Sequence, residues 1–343
     1  MRARGRIGAT VALGALVALV ALAGACTSGG ERQRATRGPT YHPTGRLVAL
    51  VGRFGGHIVL QDVATGNTID MTLPAVFGSW GAAWRGPRGR LYAMPLVFDA
   101  TARSQLYLVG GKQAPRRVGP SLAGVIGFQV TAGYAVAWAC PGVFLMDLSD
   151  PSGWKRVSPG CGAAMSPDGR RLAFATESAL WVMDVPDGTP REVLRFADLD
   201  ELGRAHIQHR SLEQVSWGKG GVAVAVGDTS RGAVAIWNDD RPPVVDVLGP
   251  VRFGEMRWQP GGDLLAFVDY APGGELFALD SRTGEERLLA EVGDYEGLAW
   301  SPDGRVVGAA LSLNMVALVD PGAGRVGTLV TPGIPVAWLP NAP

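Results

Sequence analysis

From residue 41 onward the chain reads as short apolar runs separated by polar punctuation, and the runs come in pairs. One member follows a turn that ends in glycine: RLVALVG, RLAFAT, DLLAFVD, RVVGAAL. The second usually ends on Asp or Asn: HIVLQD, VFLMD, ALWVMD, AVAIWND, ELFALD, MVALVD. Runs this short, rich in β-branched and aromatic residues and bounded by Gly, Pro and Asp, predict strands. The turn before the first run is Ser-Pro-Asp-Gly at 166–169 and again at 301–304. Degenerate copies stand at 42–45, 86–89, 259–262 and 218–221, and the weakest at 130–133. Proline pre-sets φ and glycine supplies φ > 0, so each copy predicts a tight link between strands. Tyr41, Met165, Trp217, Trp258 and Trp300 lie four residues before the closing glycine of their copies.

The closing glycines fall at 45, 89, 133, 169, 221, 262 and 304, spaced by 44, 44, 36, 52, 41 and 42 residues. Four strands per unit of roughly 40–45 residues is the arithmetic of a β-propeller blade. Residues 41–343 are therefore expected to form an all-β, seven-bladed propeller with four-stranded blades. The segments Met165–Asp184 and Trp300–Asp320, with Ser-Pro-Asp-Gly followed by an apolar pair of strands, resemble the WD40-like (PD40) repeat of TolB-type propellers. The likeness spans most of the chain after residue 40. It implies a propeller and, for TolB-type propellers, protein partners; the fold by itself hosts many functions. Ile334–Pro340 (IPVAWLP) repeats the strand that precedes each turn, and then the chain stops. We expect residues 334–339 to supply the innermost strand of the first blade, closing the ring and removing two exposed edges.

The first residues have a different character. MRARGR is basic, residues 7–25 are uncharged, and small residues lead to Cys26. This is a secretory signal pattern, and Leu22-Ala23-Gly24-Ala25-Cys26 resembles a bacterial lipobox. The resemblance implies a lipoprotein signal peptide over 1–25, cleavage before Cys26 and a diacylglycerol on its sulfur. The apolar run is also long enough to span a bilayer as an uncleaved anchor. Residues 26–40 are polar and glycine-rich and are expected to be a flexible tether. The expected address is the extracytoplasmic side of the cell membrane.

Composition narrows the function. Charged residues make up 18% and hydrophobic residues 47% of the 343 residues, with 32 basic against 31 acidic. This excludes an intrinsically disordered chain and a nucleic-acid binder working through bulk charge. Loss of residues 1–25 removes three arginines and leaves a net charge of −2. A net charge so close to zero suggests that membrane attachment rests on acyl chains alone. Beyond Cys26, Cys140 and Cys161 remain. In an exported protein they read as a disulfide, the alternative being two separate buried thiols.

If strands run a to d from the axis outward, the a–b and c–d turns share one face. The b–c loops and the connections to the next blade share the other. Cys140 and Cys161 then fall on the second face in neighbouring blades. So do the insert at 197–213, a polar stretch of helical character, and the loops carrying Arg53 and Phe54, Phe98 and Asp99, Arg103, Asp228 and Arg231, Asp269 and Tyr270. Recognition residues favour loops on a rigid scaffold, so this face is the expected binding face; the alternative is a set of solvated loop tips.

No other constellation singles out a chemistry. His206 and His209 sit three apart, and Asp198 and Glu201 are candidates to complete a zinc site with them, but exposed loop histidines are the more common case, and no cofactor or metal is expected. There is no Gly-x-Ser-x-Gly elbow, and Gly110-Gly111-Lys112 lacks phosphate-loop spacing. The aspartates Asp62, Asp147, Asp184, Asp280 and Asp320 recur once per unit and are expected to hold turns. Six of the ten tryptophans (Trp84, Trp181, Trp217, Trp258, Trp300, Trp338) occupy repeat positions, which assigns them to packing. The leading expectation is a lipid-anchored envelope module that binds a protein or peptide. The alternatives are a propeller enzyme (lactonase, glycan-cleaving or quinone-dependent dehydrogenase) and a small-ligand sensor.

Overall fold

Each predicted pair of runs forms the second and third strands of a four-stranded antiparallel sheet. The computed structural model describes residues 45–51, 57–71, 79–80, 84–85, 90–96, 101–110, 113–131, 133–140, 142–199, 211–227, 232–248, 253–269, 274–292, 297–331 and 333–339. Tyr41–Pro343 forms one unit, and among its described residues seven such sheets succeed one another as blades. Blade four runs Cys161–Met165, Arg171–Ala175, Ala179–Asp184, Arg191–Arg195. Blade five runs Ser211–Gly218, Gly221–Gly227, Gly232–Asn238, Arg241–Leu248. Blade six runs Phe253–Trp258, Leu264–Asp269, Glu275–Asp280, Glu286–Glu291. Residues 1–44, over which the signal and tether are expected, lie outside the described residues, Cys26 included, and no described helix is long and apolar enough to cross a membrane.

The ring closes as expected. Ile334–Leu339 pairs with Arg46–Val51 and is the innermost strand of blade one, ahead of His57–Asp62 and Thr68–Met71. Each seam between neighbouring blades, the seam between seven and one included, holds its own hydrophobic cluster. The alternation of side chains along a strand explains the apolar runs. In GVAVAVG, Val222, Val224 and Val226 face blade four, while Ala223 and Ala225 face blade six. A central propeller strand is covered on both faces, so it reads as continuously apolar rather than alternating.

Three residue types stitch the seams. The indole N–H of Trp258 donates to the Ser216 carbonyl at 3.1 Å, and that of Trp300 to the Arg257 carbonyl at 2.8 Å. Each bond runs from one inner strand to the previous one and contributes about 1 kcal/mol. The side chains of Gln129, Gln214 and Glu255 accept from the backbone N–H of Met165, Met256 and Leu298 on the next inner strand.

The turns behave as their chemistry demands. Ser166 and Ser301 donate to Asp168 and Asp303 at 2.6 Å and accept from the N–H of Arg171 and Val306, five residues on. The positive φ falls on the last residue, Gly169 at +71° and Gly304 at +70°. In Gln-Pro-Gly-Gly it falls instead on the third, Gly261 at +67°, the signature of a type II turn. The freed Gln259 side chain donates across the seam to the Gly304 carbonyl at 2.7 Å. Asp62, Asp147, Asp280 and Asp320 accept turn N–H groups, and Asn238 takes that place in blade five.

Blade two is less regular than the repeat predicts. It consists of Trp84–Arg85, Leu91–Ala93, Arg103–Gly110 and Gln113–Ala123, with an extra pair between Ser79–Trp80 and Pro95–Leu96. Blade three runs Gly127–Thr131, Tyr134–Trp138, Val143–Asp147, Lys155–Ser158. Blade seven runs Leu298–Trp300, Val307–Ser312, Met315–Asp320, Arg325–Val330. The insert before blade five also differs from expectation at both ends. Phe196–Asp198 is one 3-10 turn, anchored by fully buried Phe196, and residues 211–213 already belong to the inner strand. Residues 200–210, with His206 and His209, lie outside those described.

Candidate functional site

A concavity lies on the turn face, between blades four and five. It encloses about 310 Å³ and is built from the Ser166–Asp168 turn, Arg171, Trp217–Lys219, Trp237 and Asn238–Asp240. The order of the chain places each group. Arg171 opens the second strand of blade four, two residues after the glycine of a Ser-Pro-Asp-Gly turn, and its N–H is fixed by Ser166. Arg191 opens the outer strand of the same blade. Asp239 and Asp240 form the tight turn between the third and outer strands of blade five, held by the N–H of Asp240 on the Asn238 side chain at 3.0 Å.

Two arginines converge on one carboxylate. Arg171 Nη1 lies 2.8 Å from Asp239 Oδ2, and Arg191 Nη2 lies 3.4 Å from Oδ1. Each guanidinium also covers a tryptophan face: Arg171 sits 5.0 Å from the Trp217 ring centre and Arg191 5.9 Å from that of Trp237, both within cation–π range. Partial burial works against ionisation of Asp239. The hydrogen bonds from Arg171 and Arg191 outweigh it and hold the carboxyl below its ordinary range. Asp168 is held low by the Ser166 hydroxyl and the N–H of Arg170. Lys219 and Asp240 are exposed at the rim. The arrangement offers fixed donors, fixed acceptors and an aromatic edge, and it keeps Asp168 and Asp239 ionised.

The expected binding face is described only in part. Arg53, Phe54, Phe98, Asp99, Asp228, Arg231 and Tyr270 lie outside the described residues. Arg103 is the first residue of a strand rather than a loop tip, and its guanidinium donates to the hydroxyl and carbonyl of Ser121, both at 2.8 Å. Asp269 ends a strand and is buried. Cys140 and Cys161 do meet on that face: they are bonded, with Cα atoms 5.0 Å apart, Cys161 being the first residue of the inner strand of blade four. Among the described residues no group of three His, Cys, Asp or Glu stands close enough to hold a metal ion.

Sequence reasoning passed over Arg171, Arg191, Trp217 and Asp239 as a set. A signal was present: arginine follows the turn glycine directly or after one residue in several units, and Asp239-Asp240 is a doubled acid at a turn. What joins them is the seam, which brings together residues 171 and 239 from different blades.

No protein-family profile matches the chain, and no curated protein matches it by sequence. Solved structures do. The structure of apo AztD from Citrobacter koseri is similar with a TM-score of 0.59 at 12% identity, over 86% of this chain and 97% of that one. A candidate 6-phosphogluconolactonase from Bacteroides uniformis gives 0.60 at 11%, over 85% and 98%. A protein from Lactobacillus plantarum gives 0.58 at 13%, over 86% and 99%. At these identities the likeness shows the fold: this chain is a seven-bladed β-propeller.

Proposed function

We propose that the chain is an extracytoplasmic binding module, carried on a lipid at Cys26, that recognises a protein or peptide of the cell envelope. The observation that supports it is the cleft between blades four and five, where Arg171, Arg191 and Asp239 are held in place between two tryptophans. A volume of about 310 Å³ suits a few side chains of an extended segment, and it stands at the small end of ligand pockets. The groups are preorganised by turns and by one another, so a segment that binds them does not have to order them first. The likeness of the turn motif to TolB-type propellers agrees with a protein partner. The disulfide between Cys140 and Cys161 agrees with an exported chain.

The test is crosslinking and pull-down from membranes of the native host in mild detergent, with the wild-type chain and with Arg171→Ala/Asp239→Ala. We expect a protein partner recovered by the wild type and reduced at least about tenfold by the variant, the scale set by losing contacts at the centre of an interface. Recovery of no partner, or equal recovery by both chains, overturns the reading. Cys26→Ser is expected to move the protein from the membrane fraction to the soluble one.

A further inference from the structure

The mature chain is near neutral only in sum. Residues 84–158, which make blades two and three, carry nine Lys and Arg against three Asp and Glu, whereas residues 253–291, blade six, carry eight Asp and Glu against three Arg. In a ring of seven, blades two and three are the two farthest from blade six, so the charges form opposite poles of the propeller. Arg90, Arg116, Arg117, Lys155 and Arg156 are exposed at the positive pole. Arg116 and Arg117 stand on the outer strand of blade two, Lys155 and Arg156 on that of blade three. The two rims are in contact, the Trp154 indole donating to the Pro120 carbonyl at 2.9 Å. Lys155 pairs with Asp187 of blade four, an exposed pair of the kind that contributes little.

The negative pole is different in kind, because much of it is engaged internally. Asp263 and Asp280 lie 3.4 and 3.7 Å from Arg282, and Glu255 lies 2.9 Å from Arg257. Asp280 also accepts the N–H groups of its own turn.

We propose that the outer rim of blades two and three docks on the anionic headgroups of a phospholipid bilayer. Screening limits such attraction to about 10 Å, so a bilayer senses the nearer pole and not the sum over the chain. This differs from the expectation, drawn from a net charge of −2, that attachment rests on acyl chains alone. The chain enters the ring at Gly45 and Arg46 of blade one, next to blade two. The docking surface goes beyond the partner-binding reading and does not require the lipid.

The experiment uses the mature chain carrying Cys26→Ser, sedimented with vesicles of phosphatidylglycerol mixed into phosphatidylcholine, or of phosphatidylcholine alone. Binding to the mixed vesicles is expected to exceed binding to pure phosphatidylcholine at least about tenfold, since each cation near such a surface adds measurably to attraction. It should fall several-fold between about 50 and 200 mM salt. Arg116→Glu/Arg117→Glu should reduce it by at least about tenfold, while Glu285→Lys on blade six should leave it equal or tighter. Thermal melts within a few degrees of the parent establish that the variants are folded; Arg116→Gln/Arg117→Gln, with a smaller loss, serves if the double reversal does not fold. Absence of binding to the mixed vesicles, equal binding to both kinds, or indifference to the Arg116 and Arg117 substitutions overturns the proposal. So does salt-sensitive self-association without vesicle binding, which would give the two poles to a second copy of this chain. Recovery of an envelope partner through the cleft is unaffected by any of these results.

Discussion

Blades one and five have the same four strands and the same packing, but the chain builds them differently. In blade five the strands follow one another from Ser211 to Leu248, and a local turn joins the inner two. In blade one the inner strand, Ile334–Leu339, comes from the far end of the chain and meets Arg46–Val51 through hydrogen bonds and side chains alone. Closing a long loop costs only slowly more as its length grows, so the distant pairing is affordable in equilibrium terms. It has no turn to hold it, however, and must be secured by contacts. Trp338 and Ile334 are buried there, and Leu47, Val306 and Val316 pack around Trp338. Gly45, at φ +115°, lies so close beneath that an added Cβ would stand 2.5 Å from the Leu339 carbonyl. Blade five can leave a polar cleft beside its turns because the chain itself keeps the strands together.

This contrast is open to direct test. Deleting residues 333–343 should have the largest effect, lowering the melting temperature by more than about 10 °C or abolishing cooperative unfolding, since it exposes two sheet edges and one face of two cores. Calorimetry that shows an unchanged transition would remove closure as a source of stability. Trp338→Ala should cost about 3–5 kcal/mol in urea unfolding, whereas Trp217→Ala in the half-buried equivalent place of blade five should cost less; equal losses would erase the distinction. Cys140→Ser/Cys161→Ser should cost about 3 kcal/mol in the chain-entropy account, because it unties two blades already joined by the chain. Two reactive thiols in the unreduced mature protein would show that no such staple exists.

Smaller effects sharpen the comparison within the continuous blades. Ser166→Ala removes a donor to Asp168 and an acceptor for Arg171 and should cost about 1 kcal/mol; blade one has no such turn to lose. At the seam between blades five and six, burial, the hydrogen bond to Asp246 and the charges of Asp246, Asp269 and Glu275 push the Glu286 carboxyl up to about 8. A carboxyl raised in the folded state stabilises fully below its ordinary value, and that contribution fades as pH rises through the raised value. Glu286→Gln should therefore gain on the wild type from pH 5 to pH 8 in thermal melts. The gain should be modest, because Glu286 is only partly withdrawn from water. A difference that stays flat with pH would show that Glu286 and Asp246 do not share a proton.

Much of the architecture was legible in the chain, and the reason differs by feature. The repeat was readable because Ser166 and Ser301 hold their own turns, and the closing strand because Trp338 repeats the position of Trp258 and Trp300. Blade two was harder, since its third strand ends on Gly110 without the turn-holding Asp or Asn. Residues 211–213 were read as part of a helical insert because the polar stretch before them hides a strand that continues into Gln214–Gly218. Arg103 and Asp269 looked like loop residues from spacing, but both lie within strands, one bonded to Ser121 and the other buried.

The sequence by itself determined the strands, the turns, the number of blades and the strand that closes the ring. Each of these rests on interactions between residues close in the chain, or on a pattern repeated along it. Only the tertiary structure decided that Arg171 and Arg191 would share Asp239, and that a nearly neutral chain would carry opposite charges on opposite sides. Those facts depend on which blades become neighbours around the ring and which end up farthest apart, a relation that closure creates and that no local run of residues contains.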